Sequence, residues 1–441
     1  MDTADYPEPL PKGWHKTFYT LWIGCFITGM GYSMTMPFIS LFINELGTFS
    51  RFELNIYSGL SFAMTFISQA IVSPYWGSLA DQKGRKLMCL RASGVMACTI
   101  FITGLSTSVW MIIGMRFLQG AFSGYINNAT ALMAGETPHH KAGWVMSAMM
   151  TAGVTGNLIG PLIGGALSSS FGYRIPFFIT GGLMFLVFIA TWVNTKEHFK
   201  PIKKTDMKSM NELMHNIPNL KIIVAMFITT MIVQASVMSI DPIVSLYVKE
   251  MMHDKGNIAF VAGVVAATPG LGNLLSASKV GHIMDEIGPE KVLMAGLIIA
   301  TLLFIPMTFT TSPWMLAFWR FLLGLTNAGL MPAAQTILTL DVPDEAFGRI
   351  FSYNQSFQAA GSVFGALLGS MISGISTYSM VFAFTGVTLF INIWISLLAG
   401  IRKQLLITKL KELIYELLFI LSTVMTTPSF LKLLTSRSFP C

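Results

Sequence analysis

The residues most able to do chemistry in this sequence are the few charged ones inside long apolar segments. Asp241 is the one acidic residue well inside such a segment, and Arg116 lies inside another. An ionised side chain at that depth costs about 3 kcal/mol unless it meets a partner or a water-filled cavity. Burial favours the neutral carboxylic acid, whereas a cationic ligand favours the carboxylate. Asp241 is therefore a candidate site at which a proton and a cation compete.

Arginine keeps its proton, so the role open to Arg116 is to orient water or to favour the ionised form of a neighbouring carboxylate. The alternative is a structural anchor between helices, and it applies to Arg320 as well. For Asp241 the alternative is a cap at a helix end, because it precedes Pro242 and lies roughly 30 Å by helical rise from Lys221. Polar residues at helical spacing after Arg116, with others in the second half, predict a substrate cavity. Its predicted lining is Gln119, Ser123, Asn127, Gln234, Arg320 and Asn327.

A second candidate is a short charged stretch between two uncharged runs, residues 56–76 and 98–115. It extends from Gly77 to Lys86 and contains Asp81, Gly84 and Arg85. Gly84 can adopt the left-handed conformation that ends a helix, and Asp81 can accept hydrogen bonds from the free N–H groups at another helix's N-terminus. Such a contact would make the stretch a gate. The alternative is a basic turn that only fixes the topology in the membrane.

The elements that must position these residues are membrane helices. The 441-residue chain is 53% hydrophobic and 11% charged, against about 25% charged residues in soluble domains. Apolar runs long enough to cross a bilayer predict an all-α polytopic membrane protein. Its twelve spans are predicted at 18–45, 54–79, 87–106, 109–135, 143–170, 173–194, 220–248, 258–283, 291–311, 313–340, 347–373 and 377–401.

Several other classes of protein are disfavoured by the same sequence. The first apolar run does not follow the basic start of a signal peptide, and the four cysteines do not have the spacing of a metal site. No nucleotide-binding glycine loop occurs, which argues against ATP as an energy source. The basic residues, which give a net charge of +7, are spread over turns and a linker rather than over one soluble face. We expect no enzyme activity, no cofactor, no metal and no nucleic-acid partner.

The two halves of the chain repeat each other. Arg116 corresponds to Arg320 at an offset of 204, and Met36-Pro37 corresponds to Asp241-Pro242 at an offset of 205. A duplicated six-helix half predicts two bundles that face each other, with a substrate path between them. We assign 1–194 to an N-terminal bundle, 195–219 to a cytoplasmic linker, 220–402 to a C-terminal bundle and 403–441 to an amphipathic cytoplasmic tail. Lysine and arginine concentrate in alternate connections, which predicts that both termini are cytoplasmic.

Three motifs resemble the major facilitator superfamily and, within it, the twelve-helix proton-coupled multidrug efflux antiporters. Gly77 to Lys86 is similar to that superfamily's signature between helices 2 and 3, without a departure. Arg116 to Gly120 resembles the R-x-x-Q-G signature of helix 4. The helix 5 signature of exporters that exchange substrate for protons is matched by Gly156, Gly160, Pro161, Gly164 and Gly165. The resemblance covers residues 15–402.

The resemblance implies a major facilitator fold of two pseudo-symmetric six-helix bundles that work by alternating access. It implies a role in proton coupling for Arg116, beside the Asp241 that the residues themselves indicate. It also implies that Gly77, Asp81, Gly84, Arg85 and Lys86 form a cytoplasmic gate, which holds the two halves together in the outward-open state. For the helix 5 glycines it implies close contact with a sliding partner, and ordinary glycine-mediated packing is the alternative.

We therefore expect a proton-driven exporter of small lipophilic, cationic drugs that works as a monomer in a bacterial plasma membrane. Its partners would be the small-molecule substrate, protons and the lipid bilayer. One alternative is a proton-coupled uptake symporter of the same fold, against which the helix 5 signature argues. The other is a membrane receptor or scaffold that no longer transports.

Overall fold

The computed structural model describes residues 13–197, 220–341 and 347–398, without the side chain of Asp81 and those at 139, 140, 142, 341 and 347–349. Most of the predicted linker and the whole predicted tail lie outside the described residues. All regular secondary structure in the described ranges is helical, as the composition predicts.

The described part of the chain contains fifteen α-helices. They are α1 (Trp14–Thr35), α2 (Ile39–Glu45), α3 (Arg51–Lys83), α4 (Arg85–Gly104), α5 (Val109–Ala121), α6 (Tyr125–Glu136), α7 (His139–Phe171), α8 (Ile175–Asn194), α9 (Leu220–Ile240), α10 (Val244–Met251), α11 (Ile258–Ile287), α12 (Pro289–Thr308), α13 (Pro313–Asp341), α14 (Phe347–Ile375) and α15 (Tyr378–Leu398). Eleven segments among the described residues are long and apolar enough to cross a membrane, with α1 and α2 counted as one. The predicted fourth span is divided between α5 and α6, neither of which is long enough alone.

Three of the predicted spans are interrupted by local backbone features. Gly124, between α5 and α6, has a φ of 110°, a conformation that a side chain would strain. Pro37 lies in a 3-10 turn, Met36–Phe38, between α1 and α2, and Pro242 lies between α9 and α10. At each of these two breaks the proline cannot donate a helical hydrogen bond. The polar residues predicted at helical spacing after Arg116 are therefore divided at Gly124 between α5 and α6.

The helix pairs within each half reproduce the sequence repeat. In the first half α1 packs on α7, α3 on α5, and α4 on α8. The corresponding pairs in the second half are α9 with α14, α11 with α13, and α12 with α15. The most extensive contacts between the halves are those of α3 with α14 and of α7 with α11, and α2 also contacts α10. The fold is thus two six-span bundles that meet mainly along two helix pairs.

The halves are joined at one end of the molecule, where α2 ends and α3 begins. We call it the opposite end, and we call the other end, where Lys83, Arg85 and Lys86 lie, the basic end. At the opposite end Arg51 Nε donates to the Ser373 carbonyl at 3.1 Å, and Arg51 also forms an ion pair with Glu250 at 3.3 Å. These contacts close the space between the halves at the opposite end.

The basic end has open positions on three helices. A Cβ atom added at Gly77 on α3, at Gly143 on α7 or at Gly281 on α11 would meet no heavy atom of another element within 4 Å. The aromatic side chains of Tyr75 and Trp144 nearby are 63% and 62% exposed. The structure therefore has the geometry of a two-bundle protein that is closed at the opposite end.

Candidate substrate cavity

A central cavity lies between the two halves. It consists of two adjoining volumes of about 360 Å³ and about 350 Å³, and Tyr32 and Asn157 line both. Helices α1 and α7 of the first half face helices α9, α11 and α13 of the second half across it. A cavity of this kind, polar in part and enclosed between two bundles, is the expected place for a transported small molecule.

Asp241 and Arg320 lie together on the second-half wall of this cavity. Arg320 Nη2 donates to Asp241 Oδ1 at 3.4 Å. The Arg320 side chain is 6% exposed and that of Asp241 is 33% exposed. Asp241 comes directly after α9 and before Pro242, so the break in the span brings its carboxylate to the cavity. Among the described residues, no other acidic or basic side chain lines the two volumes.

Arg116 lies in the first half at the corresponding depth and is only 1% exposed. Its Nη1 donates to Gln119 Oε1, and its Nη2 contacts Met36 Sδ at 2.6 Å. Its Nε is buried without a hydrogen-bond partner among the described residues. Arg116 is therefore held by weak or neutral acceptors rather than by a carboxylate.

The repeat explains why the two arginines differ. Arg116 contacts the residue before Pro37, and Arg320 contacts the residue before Pro242. These two contacted positions correspond to each other in the sequence repeat. The first half has Met36 at that position and the second half has Asp241. Sequence reasoning missed the Arg320–Asp241 pair. The repeat places Arg320 and Asp241 at the positions of Arg116 and Met36, so knowledge of the Arg116–Met36 contact would have indicated the pair.

Most of the predicted cavity residues line the central space. Gln119, Ser123, Asn127 and Gln234 line one volume, and Arg320 lines the other. Gln234 Nε2 also donates to Ser362 Oγ at 3.1 Å across the second half. Asn327 is half-buried on α13 and is not among the side chains that line either volume.

The glycines of α7 have two different neighbours. A Cβ atom at Gly156, Gly160 or Gly164 would collide with the backbone of α1 in the same half. At Gly165 it would lie 2.9 Å from the Ala259 carbonyl of α11 in the other half, and a Cβ atom at Gly263 of α11 would in turn collide with the carbonyl oxygen of Pro161. One edge of α7 is thus packed within its bundle, and the other edge forms the contact between bundles.

The charged stretch at the basic end is a tight turn between α3 and α4. Gly84 has a φ of 93° there, a value that a side chain would strain. The Glu197 carboxylate accepts hydrogen bonds from the backbone N–H of Arg85 at 2.6 Å and from that of Lys86 at 2.8 Å, so it caps α4. Sequence reasoning did not find Glu197, because nothing local relates residues so distant in the chain. The side chain of Asp81 lies outside the described residues.

The remaining candidates for chemistry are few. Cys25 and Cys89 are buried free thiols and Cys98 is an exposed one. Among the described residues no group of three or more His, Cys, Asp or Glu side chains is placed to hold a metal ion. The central cavity is therefore the site on which function is argued.

Two pseudo-symmetric helical bundles around a partly polar cavity define a membrane transporter, and comparison with known proteins identifies its family. The sequence profile of the Major Facilitator Superfamily matches residues 21–252 and 226–436. The chain therefore belongs to the Major Facilitator Superfamily, and it is a transporter rather than an enzyme.

Individual relatives are also similar. The multidrug resistance protein MdtG of Salmonella typhimurium is 44% identical over 385 residues, which cover 87% of this chain and 95% of the relative. MdtG of Salmonella heidelberg is 43% identical over the same share of each chain.

Two solved transporters share the fold at low sequence identity. A bacterial homolog of the human lysosomal transporter Spinster, in an inward-facing and unoccupied conformation, has a TM-score of 0.71 at 15% identity and covers 89% of this chain and 98% of its own. The nucleoside transporter NupG has a TM-score of 0.68 at 14% identity, covering 87% and 98%.

Proposed function

We propose that this transporter exports small lipophilic compounds that carry a cationic group, in exchange for protons. The observation that carries the proposal is the partly exposed carboxylate of Asp241 in the wall of a cavity between two bundles. The similarity to MdtG, a protein named for multidrug resistance, supports export of several compounds rather than one. The largely apolar lining, with Met36, Phe62 and Val237 among it, suits lipophilic substrates.

Exchange follows from competition at Asp241. A proton and a cationic substrate each neutralise the same carboxylate, so the cavity holds one or the other. A proton that enters from the side of higher proton concentration therefore releases the substrate there, and loss of the proton on the other side prepares the site for a new substrate. Arg116, held by Gln119 and Met36 rather than by an acid, is enclosed and would act through these two residues, which line the facing wall.

The direction of transport depends on orientation. The basic residues near Gly84 predict that the basic end is cytoplasmic, in a bacterial plasma membrane. With the opposite end closed by the Arg51 and Glu250 contacts, the described state would then be the inward-facing one. The stretch from Gly77 to Lys86 would act as the cytoplasmic gate between this state and the outward-facing one, and a monomer would suffice for the cycle.

The test uses membrane vesicles in which the basic end faces outward, with a fluorescent lipophilic cation outside and an acid interior. Wild-type protein should accumulate the cation as protons leave. Asp241→Asn should bind it weakly and abolish proton-driven accumulation, because the amide neither titrates nor attracts a cation. The matched control is Glu286→Gln, which removes an exposed carboxylate that does not line the cavity and should retain accumulation.

Equal accumulation by wild type and Asp241→Asn would refute the coupling role of Asp241. Movement of the cation together with protons, in the same direction, would refute export by exchange and indicate an uptake symporter. Absence of flux for a panel of lipophilic cations, in protein that folds, would indicate a receptor or scaffold.

A further inference from the structure

The ion pair between Arg320 and Asp241 is unusually incomplete for a buried pair. A single contact of 3.4 Å joins Nη2 to Oδ1, whereas an arginine that holds a carboxylate for structural reasons commonly forms two shorter parallel hydrogen bonds. Arg320 Nη1 is enclosed and has no hydrogen-bond partner among the described residues. The guanidinium therefore has unused donors beside a cavity that its side chain lines.

The charges that line the two central volumes are balanced, and Arg85 and Arg91 line a separate, smaller volume next to them. Among the described residues that line its two volumes, Asp241 is the one acidic side chain and Arg320 is the one basic side chain. Neutral polar groups of Tyr32, Asn157 and Asn273 lie on the same surface. A ligand with a single charge can satisfy only one member of the pair, and it leaves the other without a partner at low dielectric, which is costly.

We propose that the cavity binds compounds that carry both a cationic and an acidic group, with the cationic group at Asp241 and the acidic group at Arg320. This inference rests on the proposed function, and it specifies the substrate class of the same site. Such a zwitterion replaces one loose internal pair by two pairs with the ligand, so no charge is left unpaired. The planar guanidinium can then use two N–H donors on a carboxylate, which it does not do with Asp241.

Competition with protons is preserved in this arrangement. The cationic group of the zwitterion still needs an ionised Asp241, and a proton on that carboxylate still displaces it. A purely anionic compound would behave in the opposite way, because protonation of Asp241 would free Arg320 to bind it. The sign of the proton effect on binding therefore distinguishes zwitterions from anions.

The experiment measures equilibrium binding to the purified full chain in lipid nanodiscs with three related fluorescent probes. Dansyl-lysine is a zwitterion with a lipophilic tail, its methyl ester carries only the ammonium group, and its N-acetyl derivative carries only the carboxylate. Wild-type protein should bind the zwitterion about tenfold more tightly than the ester, since one additional charge-assisted pair is formed. It should also bind the zwitterion more tightly than the acetylated anion.

Substitutions of Arg320 and Asp241 should change which of the three probes binds most tightly, rather than weaken all three equally. In Arg320→Gln the ester should bind more tightly than the zwitterion, because only Asp241 still needs a partner. In the double variant Asp241→Asn with Arg320→Gln, which leaves no charge unpaired, the three probes should bind with similar affinity. Lys279→Gln, an exposed change on neighbouring α11, is the matched control and should preserve the wild-type order.

Equal affinity of wild type for zwitterion and ester would overturn the inference, as would a zwitterion preference that survives in the double variant. If Arg320→Gln does not fold, the double variant and Arg320→Lys decide the question, and Arg320→Lys should keep a reduced zwitterion preference. Failure of this inference is separable from failure of the proposed function: ester binding that falls with rising proton concentration supports exchange even when the acidic group contributes nothing.

Discussion

The contact between α7 and α11 allows a quantitative prediction about the two states of the transporter. A Cβ atom at Gly263 would overlap the Pro161 carbonyl oxygen and lie 3.1 Å from Gly165 Cα, both in the other half. Neither neighbour is the flexible end of a side chain. We therefore expect Gly263→Ala to destabilise the state closed at the opposite end by about 1–3 kcal/mol, the usual cost of overpacking.

A state in which the halves separate at the opposite end would not contain this overlap. The population ratio of the two states should then shift toward it by about 5- to 150-fold. The assay is the distance distribution between spin labels at Thr48 and Lys255, which are exposed on the two halves at the opposite end, in a background without the native cysteines. Gly263→Ala should increase the fraction of long distances.

Two substitutions on the same helix provide matched controls. A Cβ atom at Gly272 would overlap the Phe321 carbonyl oxygen, which belongs to the same half. Gly272→Ala should therefore lower thermal stability and leave the label distances unchanged. At Gly281 the added atom meets nothing within 4 Å, so Gly281→Ala should change neither the thermal stability nor the distances between the labels. A distance distribution that is the same for Gly263→Ala and Gly272→Ala would refute the reasoning.

Two further predictions concern buried charge and helix capping. Met36→Asp should be tolerated, because the new carboxylate would pair with the poorly satisfied Arg116 guanidinium. Cys25→Asp on the preceding helix α1 buries an unpaired acid and should lower stability by about 3 kcal/mol or more. Thermal unfolding in nanodiscs compares the two variants, and equal losses of stability would contradict the pairing. Glu197→Gln should lower stability by about 1 kcal/mol because it weakens the cap of α4. The same unfolding assay compares it with Glu286→Gln, a change at an exposed position, and equal melting temperatures of the two variants would refute a capping role.

The number and order of the spans were predictable because each needs a long apolar run, and such runs are visible without any knowledge of packing. The break of the fourth span at Gly124 was not predicted. A glycine inside an apolar run is common in membrane helices, and only the observed φ of 110° distinguishes a break from a continuous helix.

The site was predictable in its parts and not in its pairing. The depth of Asp241 and Arg116 in apolar runs identified both as unusual, and the notion of a cavity followed from the duplicated halves. Which arginine meets Asp241 depends on how α13 packs against α9, a long-range contact that periodicity does not encode. Contacts such as that of Glu197 with the α4 N-terminus are of the same kind.

The single acidic side chain in the cavity lining has an electrical consequence. If Asp241 is the one proton site there, as we propose, each cycle would move one proton inward for each substrate that leaves. Exchange for a monovalent cation then transfers no net charge, so only the pH difference supplies energy. Exchange for a neutral zwitterion carries one positive charge inward per cycle, to which the membrane potential contributes about 2.3 kcal/mol for each 100 mV. The charge of the cargo would thus decide which component of the proton-motive force supplies the energy for export.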